Sequence, residues 1–134
     1  MSNNNQSSDE ELKETIESLL AELSTQTTIS KRQGAIWSLG KLGKRAIGYG
    51  VVEPLIEILL NDEEYVLRCY AAQTIGKLGD LGGRTAAREA ISALLQALQD
   101  DAPLVRNEAT AALTKIASAL GFQNRDELIT AYEE

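Results

Sequence analysis

The chain has 134 residues, enough for one modest core, and 43% of them are apolar with only six aromatics. That Leu-, Ile- and Ala-rich composition favours close-packed helices over a β-sandwich. Thirteen basic against twenty acidic residues give a net charge of -7, a field that repels phosphate backbones and anionic headgroups and argues against a nucleic-acid partner.

The opening Met1–Ser8 is polar and low in complexity, and residues 1–8 are expected to be a disordered tail because they have nothing to bury against the entropy of ordering. Ser8 and Glu11 form a candidate capping box. Leu12, Ile16, Leu19, Leu20 and Leu23 follow at helical spacing. A second helix is predicted from about Ser30 to Leu42, closed by Gly43 in a left-handed cap. Pro54 lies near the start of the next helix, with Leu55, Ile56, Ile58, Leu59 and Leu60, and after a turn at Asn61-Asp62 its partner runs from about Tyr65 to Leu78, ending at Gly79. The third pair carries Ala90, Leu94, Leu95 and Leu98. Its second helix begins at Pro103 and bears Val105, Ala109, Leu113 and Ile116, with Ala117 where the earlier units have glycine. Asn124 and Glu127 look like another capping pair, so Leu128, Ile129 and Tyr132 are expected on a short capping helix over 124–133.

These elements repeat. Ile75-Gly-Lys-Leu-Gly79 matches Leu39-Gly-Lys-Leu-Gly43 thirty-six residues earlier, and Leu113-Thr-Lys-Ile-Ala117 follows thirty-eight residues later. A period near forty means helix pairs that bury their apolar faces only by stacking on one another. The units are about 9–43, 52–79 and 87–118. The glycine-rich linkers between them read as edge insertions or extra helical turns. Gly48, Gly50, Gly82 and Gly83 follow no strand and do not fit a phosphate-binding loop.

Aligning the second helices puts Arg32, Arg68 and Arg106 in register, each followed by Ala35, Ala71 and Ala109, with Asp62 and Asp101 in the turns before two of them. Val66-Leu-Arg-Cys-Tyr-Ala-Ala-Gln-Thr-Ile-Gly-Lys-Leu-Gly-Asp80 follows this pattern nearly throughout. The pattern resembles the HEAT-like repeat family, in the form found in cyanobacterial phycobilin lyase and phycobilisome-turnover proteins and in bacterial scaffold proteins. It covers most of residues 12–117. The resemblance implies an all-α, short right-handed α-solenoid of about three helix pairs with a C-terminal capping helix. Unit one departs from the pattern at Gln26 and Lys31, as a terminal repeat with one solvent-facing side would.

The recurring Arg and Asp residues are expected to form a structural ladder of Arg32, Arg68, Arg106, Asp62 and Asp101, since a catalytic group would not need to recur in every repeat. The chain contains no His, which removes the usual general base and the commonest metal ligand. Asp62-Glu-Glu64 and Asp100-Asp101 lack the spacing of a calcium loop. Cys69 has no partner for a disulfide or a zinc site and reads as a surface or semi-buried thiol. No catalytic residue, cofactor or metal is expected. With no apolar run near the roughly 20 residues of a membrane span and no charged-then-apolar leader, membrane insertion is not expected and a cytoplasmic location is.

In unit two Leu67, Ala71, Ile75 and Leu78 form the core stripe, which leaves Val66, Cys69, Tyr70, Gln73 and Lys77 on a neighbouring one. Unit one places Ser30, Gln33, Gly34, Trp37 and Lys41 there, and unit three Leu104, Asn107, Glu108, Ala111 and Lys115. In related repeat proteins this stripe varies and lines a concave groove. The leading expectation is therefore a non-catalytic scaffold that binds another protein there, with Trp37 and Tyr70 as anchors. In the competing reading Trp37 packs between units one and two. The resemblance also implies an alternative, a lyase-like or chaperone role for a bilin on an antenna phycobiliprotein or other photosynthetic component. A third option is edge-to-edge pairing into a homo-oligomer.

Overall fold

The computed structural model describes residues 2–24 and 26–133, with side chains from Ser8 onward. Among the described residues there are seven α-helices and no strand: α1 Ser2–Glu22, α2 Ile29–Leu42, α3 Val52–Asn61, α4 Tyr65–Lys77, α5 Arg84–Ala97, α6 Pro103–Ala119 and α7 Arg125–Tyr132. They form three helix pairs and a cap. The second helices α2, α4 and α6 pack side by side in one layer, while α1, α3 and α5 each back their own partner and α7 crosses α6 and α5. This is a short all-α solenoid, and its core is one continuous apolar cluster from Ile16 to Leu128.

Local chemistry explains the helix ends. Thr28 caps α2, its hydroxyl accepting from the Lys31 amide at 3.2 Å. Asn124 caps α7 in the same way, accepting from the Glu127 amide at 2.9 Å, while the Glu127 carboxylate accepts from the Gln123 amide at 2.8 Å. Gly43 closes α2 at φ 54°, donating to the Leu39 carbonyl. The third unit ends in its own way. With Ala at position 117 the helix runs on to Ala119, and Gly121, at φ 87°, makes the stop. There the Phe122 amide donates to the Ala117 carbonyl at 2.8 Å and the Gly121 amide to Ser118 at 3.1 Å, the paired bonds of a Schellman motif.

Helix α1 spans Ser2–Glu22, so Ser8 and Glu11 lie inside it and do not cap it, and of the expected tail over 1–8 the backbone from Ser2 is helical while Met1 lies outside the described residues. Once a turn is nucleated, each further residue adds one hydrogen bond for two fixed dihedrals, so moderate helix formers such as Asn, Gln and Ser extend a helix at small cost.

The linkers are packed rather than loose. Gly43–Ala46 forms one 3-10 turn that buries Ala46. The second linker passes so close to the first that a Cβ on Gly82 would lie 2.5 Å from Cγ2 of Ile47. Leu81 takes a left-handed φ of 64° there and buries its side chain. An L residue in that conformation costs on the order of 1 kcal/mol, which burial of the Leu81 side chain offsets.

Candidate functional site: the face of the second helices

Two glycines set how closely the second helices approach. A Cβ on Gly76 would lie 3.0 Å from Ala112 Cα and one on Gly40 would lie 3.2 Å from Thr74 Oγ1. Thr74 is buried, and its hydroxyl donates to the Ile36 carbonyl at 3.1 Å, a cross-helix bond that satisfies the polar atom inside the seam. The helices therefore form one rigid layer on which the outward residues are displayed.

At the turn edge of that layer the arginines and aspartates form a relay from unit to unit. Arg32 donates from Nη2 to Asp62 of the next unit and from Nε to the Leu23 carbonyl at 3.1 Å. Arg68 grips Asp100 with both arms, Nε to Oδ2 at 2.9 Å and Nη2 to Oδ1 at 3.1 Å. Each arginine of units two and three also ties down its own turn: Arg68 donates to the Asp62 carbonyl at 2.7 Å and Arg106 to the Asp100 carbonyl at 2.6 Å. The ladder was expected to run through Asp101. Asp100 takes that place, because it lies six residues before Arg106 just as Asp62 lies six before Arg68, and Asp101 is exposed. The six-residue spacing to the arginine, common to Asp62–Arg68 and Asp100–Arg106, identifies the ladder residue.

Burial pushes the Asp100 carboxyl up, but the hydrogen bonds from Arg68 and the Ala102 amide and the charges of Arg68 and Arg106 outweigh it and hold the group below the usual carboxylate range. Arg68 is correspondingly raised by its bond to Asp100, against the opposing effect of burial and with added help from the charge of Asp101. A carboxylate whose folded pKa is depressed contributes stability above its unfolded value of about 3.9 and loses it as pH falls through the folded value. The stability gap between the wild type and Asp100→Asn should thus be full above about pH 5 and shrink steadily below about pH 4. Urea midpoints measured across that range check it, and a gap independent of pH would refute it.

On the outward face, Trp37, Lys41, Lys77, Leu104, Asn107, Ala111 and Lys115 are exposed, and Gln33, Val66, Tyr70, Gln73 and Glu108 are half-buried. Cys69 departs from the expectation. It is only 9% exposed and belongs to the core cluster, so it does not face a partner. Burial pushes its thiol up, with the charge of Glu108 acting in the same direction and Arg68 opposing, which makes it a poor nucleophile.

Trp37 is 48% exposed, so it is not a wedge between the first two units. It borders an open cleft of about 410 Å³ lined by Ser30, Gln33, Gly34, Trp37 and Tyr70. Gln33 donates to the Tyr70 hydroxyl at 3.1 Å and thereby orients the ring across the α2–α4 seam. The Lys41 ammonium lies 4.7 Å from the centre of the Trp37 ring, a cation–π contact that fixes both side chains. The α6 members of the stripe share the layer but do not line this cleft.

A larger depression of about 810 Å³ opens at the turn edge between units one and two. Arg32 and Asp62 in its wall are already paired to each other, so it presents no uncommitted buried polar group. Among the described residues no three His, Cys, Asp or Glu side chains gather in a way that could hold a metal ion, and no helix is long and apolar enough to cross a membrane.

The HEAT-repeat family model matches residues 52–125. The chain belongs to the HEAT-repeat family. A comparison with curated proteins finds no match. HEAT repeats generally mediate protein–protein interaction, and in this HEAT-repeat chain the matched span begins with α3 and ends at the start of α7. The first helix pair, with its Gln26 and Lys31, lies outside the match. In a stack each unit contacts only its neighbours, so this pair joins the array through the α2–α4 seam and the Arg32–Asp62 bridge.

Proposed function

We propose that this HEAT-repeat chain is a non-catalytic interaction module that binds a partner protein in the groove formed by α2, α4 and α6, with Trp37 and Tyr70 as its anchors. The observation that carries this reading is the half-exposed Trp37, pinned by Lys41 beside a cleft whose other wall is Tyr70. A large aromatic side chain left in water on a rigid surface costs little conformational entropy to dock, and such groups dominate interface energetics when a partner covers them. The polar ring of Ser30, Gln33 and Lys41 around it suits the rim of such a contact.

Replacing Trp37 and Tyr70 together by Ala should weaken capture of the partner from source lysate at least tenfold, as expected for removing two anchors worth about 1 kcal/mol or more each. Thermal unfolding should shift by no more than a few degrees. Undiminished capture by the double variant would end the proposal. The bilin-handling alternative has support from the repeat pattern alone, and the same preparation tests it. Mixing with free bilin and an apo-antenna protein should leave the absorbance spectrum unchanged, whereas a shift or a covalent adduct would replace the present reading with that one.

A further inference from the structure

The face that carries Trp37 and Tyr70 also carries Lys41, Lys77 and Lys115, at the same register of the three second helices. All three are exposed. Among the described residues the ion pairs are Arg32–Asp62 and Arg68–Asp100, so none of these lysines is ion-paired to a described carboxylate, although the chain has an excess of acids.

The row is also positioned. A Cβ on Gly40 would lie 3.3 Å from Cδ of Lys77, and one on Gly76 would lie 3.6 Å from Cδ of Lys115. Each lysine stem thus rests over the glycine of the preceding unit, and its ammonium group is carried outward along a fixed path. Lys41 has no preceding unit, and the ring of Trp37 supports it instead. Packed helices lie about 8–10 Å apart, so the three ammonium groups recur at roughly that interval. A segment in the polyproline II conformation turns once every three residues and rises about 9 Å in that turn, so every third side chain lies on one face at the same interval.

Resting on the interaction reading above, we propose that the partner's docking element is an acidic segment whose carboxylates, at every third residue, face Lys41, Lys77 and Lys115 while an apolar residue between them fills the Trp37–Tyr70 cleft. The net charge of -7 adds selectivity. The excess of acid elsewhere opposes non-specific approach of an acidic chain, while the three ammonium groups in a row attract one locally.

The test uses the full chain and a fluorescein-labelled peptide with Glu at every third position and Leu or Ser between, read by anisotropy. A peptide with Lys for Glu and a single-stranded RNA oligonucleotide are run beside it. The acidic peptide should bind best, and rising salt should weaken it. The triple variant Lys41→Gln/Lys77→Gln/Lys115→Gln should bind it about tenfold more weakly, at two- to threefold per exposed pair, and should lose most of the salt dependence. Its thermal unfolding should fall by no more than a few degrees, because the contact it loses within the chain, Lys41 on the exposed Trp37 ring, is worth only about 0.5–1 kcal/mol. No binding of the acidic peptide, equal binding by the triple variant, or tighter binding of the basic peptide or the RNA each overturns the proposal. So does concentration-dependent self-association that the triple variant abolishes, since a second copy would then be the occupant. The two readings separate cleanly: if only the charge inference fails, the triple variant is neutral while Trp37→Ala/Tyr70→Ala still weakens partner capture, and if the groove reading fails, the aromatic variant is neutral too.

Discussion

Asp62→Ala should lower the unfolding free energy by about 3–5 kcal/mol, the usual cost of removing one partner from a buried ion pair. The side chains of Arg32 and Asp62 are only 6% and 5% exposed, so the guanidinium left behind loses its counter-charge where little water reaches it. Asp62 also accepts from the Glu64 amide at 3.0 Å just before α4, and that bond is lost with it. Replacing both members, as Arg32→Met/Asp62→Leu, should recover most of the loss, because apolar groups of similar volume carry no charge to desolvate. Urea titrations of the three proteins decide this. Equal destabilisation by the single and double variants would mean that the bridge acts through hydrogen bonds to the turn rather than through charge burial. The second bridge, Arg68–Asp100, is 15% and 12% exposed, so Asp100→Ala should cost less than Asp62→Ala.

That difference bears on how the array is joined. In a stack each unit contacts only its neighbours, and the stability of a terminal unit depends on its one interface. The first pair meets the rest mainly through α2 on α4 and through Arg32. Losing the bridge should therefore loosen unit one before the other units, and amide exchange in α1 and α2 would report it.

The helix pairs were legible because the apolar positions repeat with both the helical period and a period near forty, and either signal alone would leave alternatives. The core residues Leu67, Ala71 and Ile75 follow from that spacing, and all are fully buried. Helix ends were legible where a side chain or a glycine makes the stop, as at Gly43 and Asn124. At the third unit no such residue marks the end near 118, and α6 runs to Ala119 before Gly121 permits the turn.

On the outward face the sequence separates stripes but does not say how deep each lies. Cys69 shares a stripe with Tyr70 and Gln73 but lies in the core cluster, covered by the closely packed helices. That closeness comes from Gly40 and Gly76, which read in sequence only as part of a repeated Gly-Lys-Leu-Gly pattern. The same glycines seat the lysines one unit on, the Lys77 stem over Gly40 and the Lys115 stem over Gly76. Asp100 was missed for a different reason, since two adjacent aspartates offered the same chemistry and only the six-residue register to Arg106 distinguishes them.

Those notches give the other large effect. Gly76→Val should destabilise the chain by about 3 kcal/mol, near the upper end of the overpacking range, because its Cβ would meet Ala112 at 3.0 Å from Cα and 3.2 Å from Cβ. The nearest of these is a backbone atom of α6, so the whole helix must move, and the branched methyls allow no rotamer that avoids the contact. Gly76→Ala meets the same backbone but gains about 1 kcal/mol of helix propensity, so a smaller net loss is expected. Gly40→Ala should be milder still, since two of its neighbours, Thr74 and the end of the Lys77 stem, are side chains. Gly34 marks the opposite case. Nothing lies within 4 Å of a Cβ there, so Gly34→Ala should stabilise by up to about 1 kcal/mol from the gain in propensity alone. The order Gly34→Ala, wild type, Gly40→Ala, Gly76→Ala, Gly76→Val should therefore appear as a descending series of unfolding midpoints. If Gly76→Ala proved as stabilising as Gly34→Ala, the close approach of α4 and α6 would be wrong, and with it the rigid layer that holds Trp37, Tyr70 and the lysine row in place.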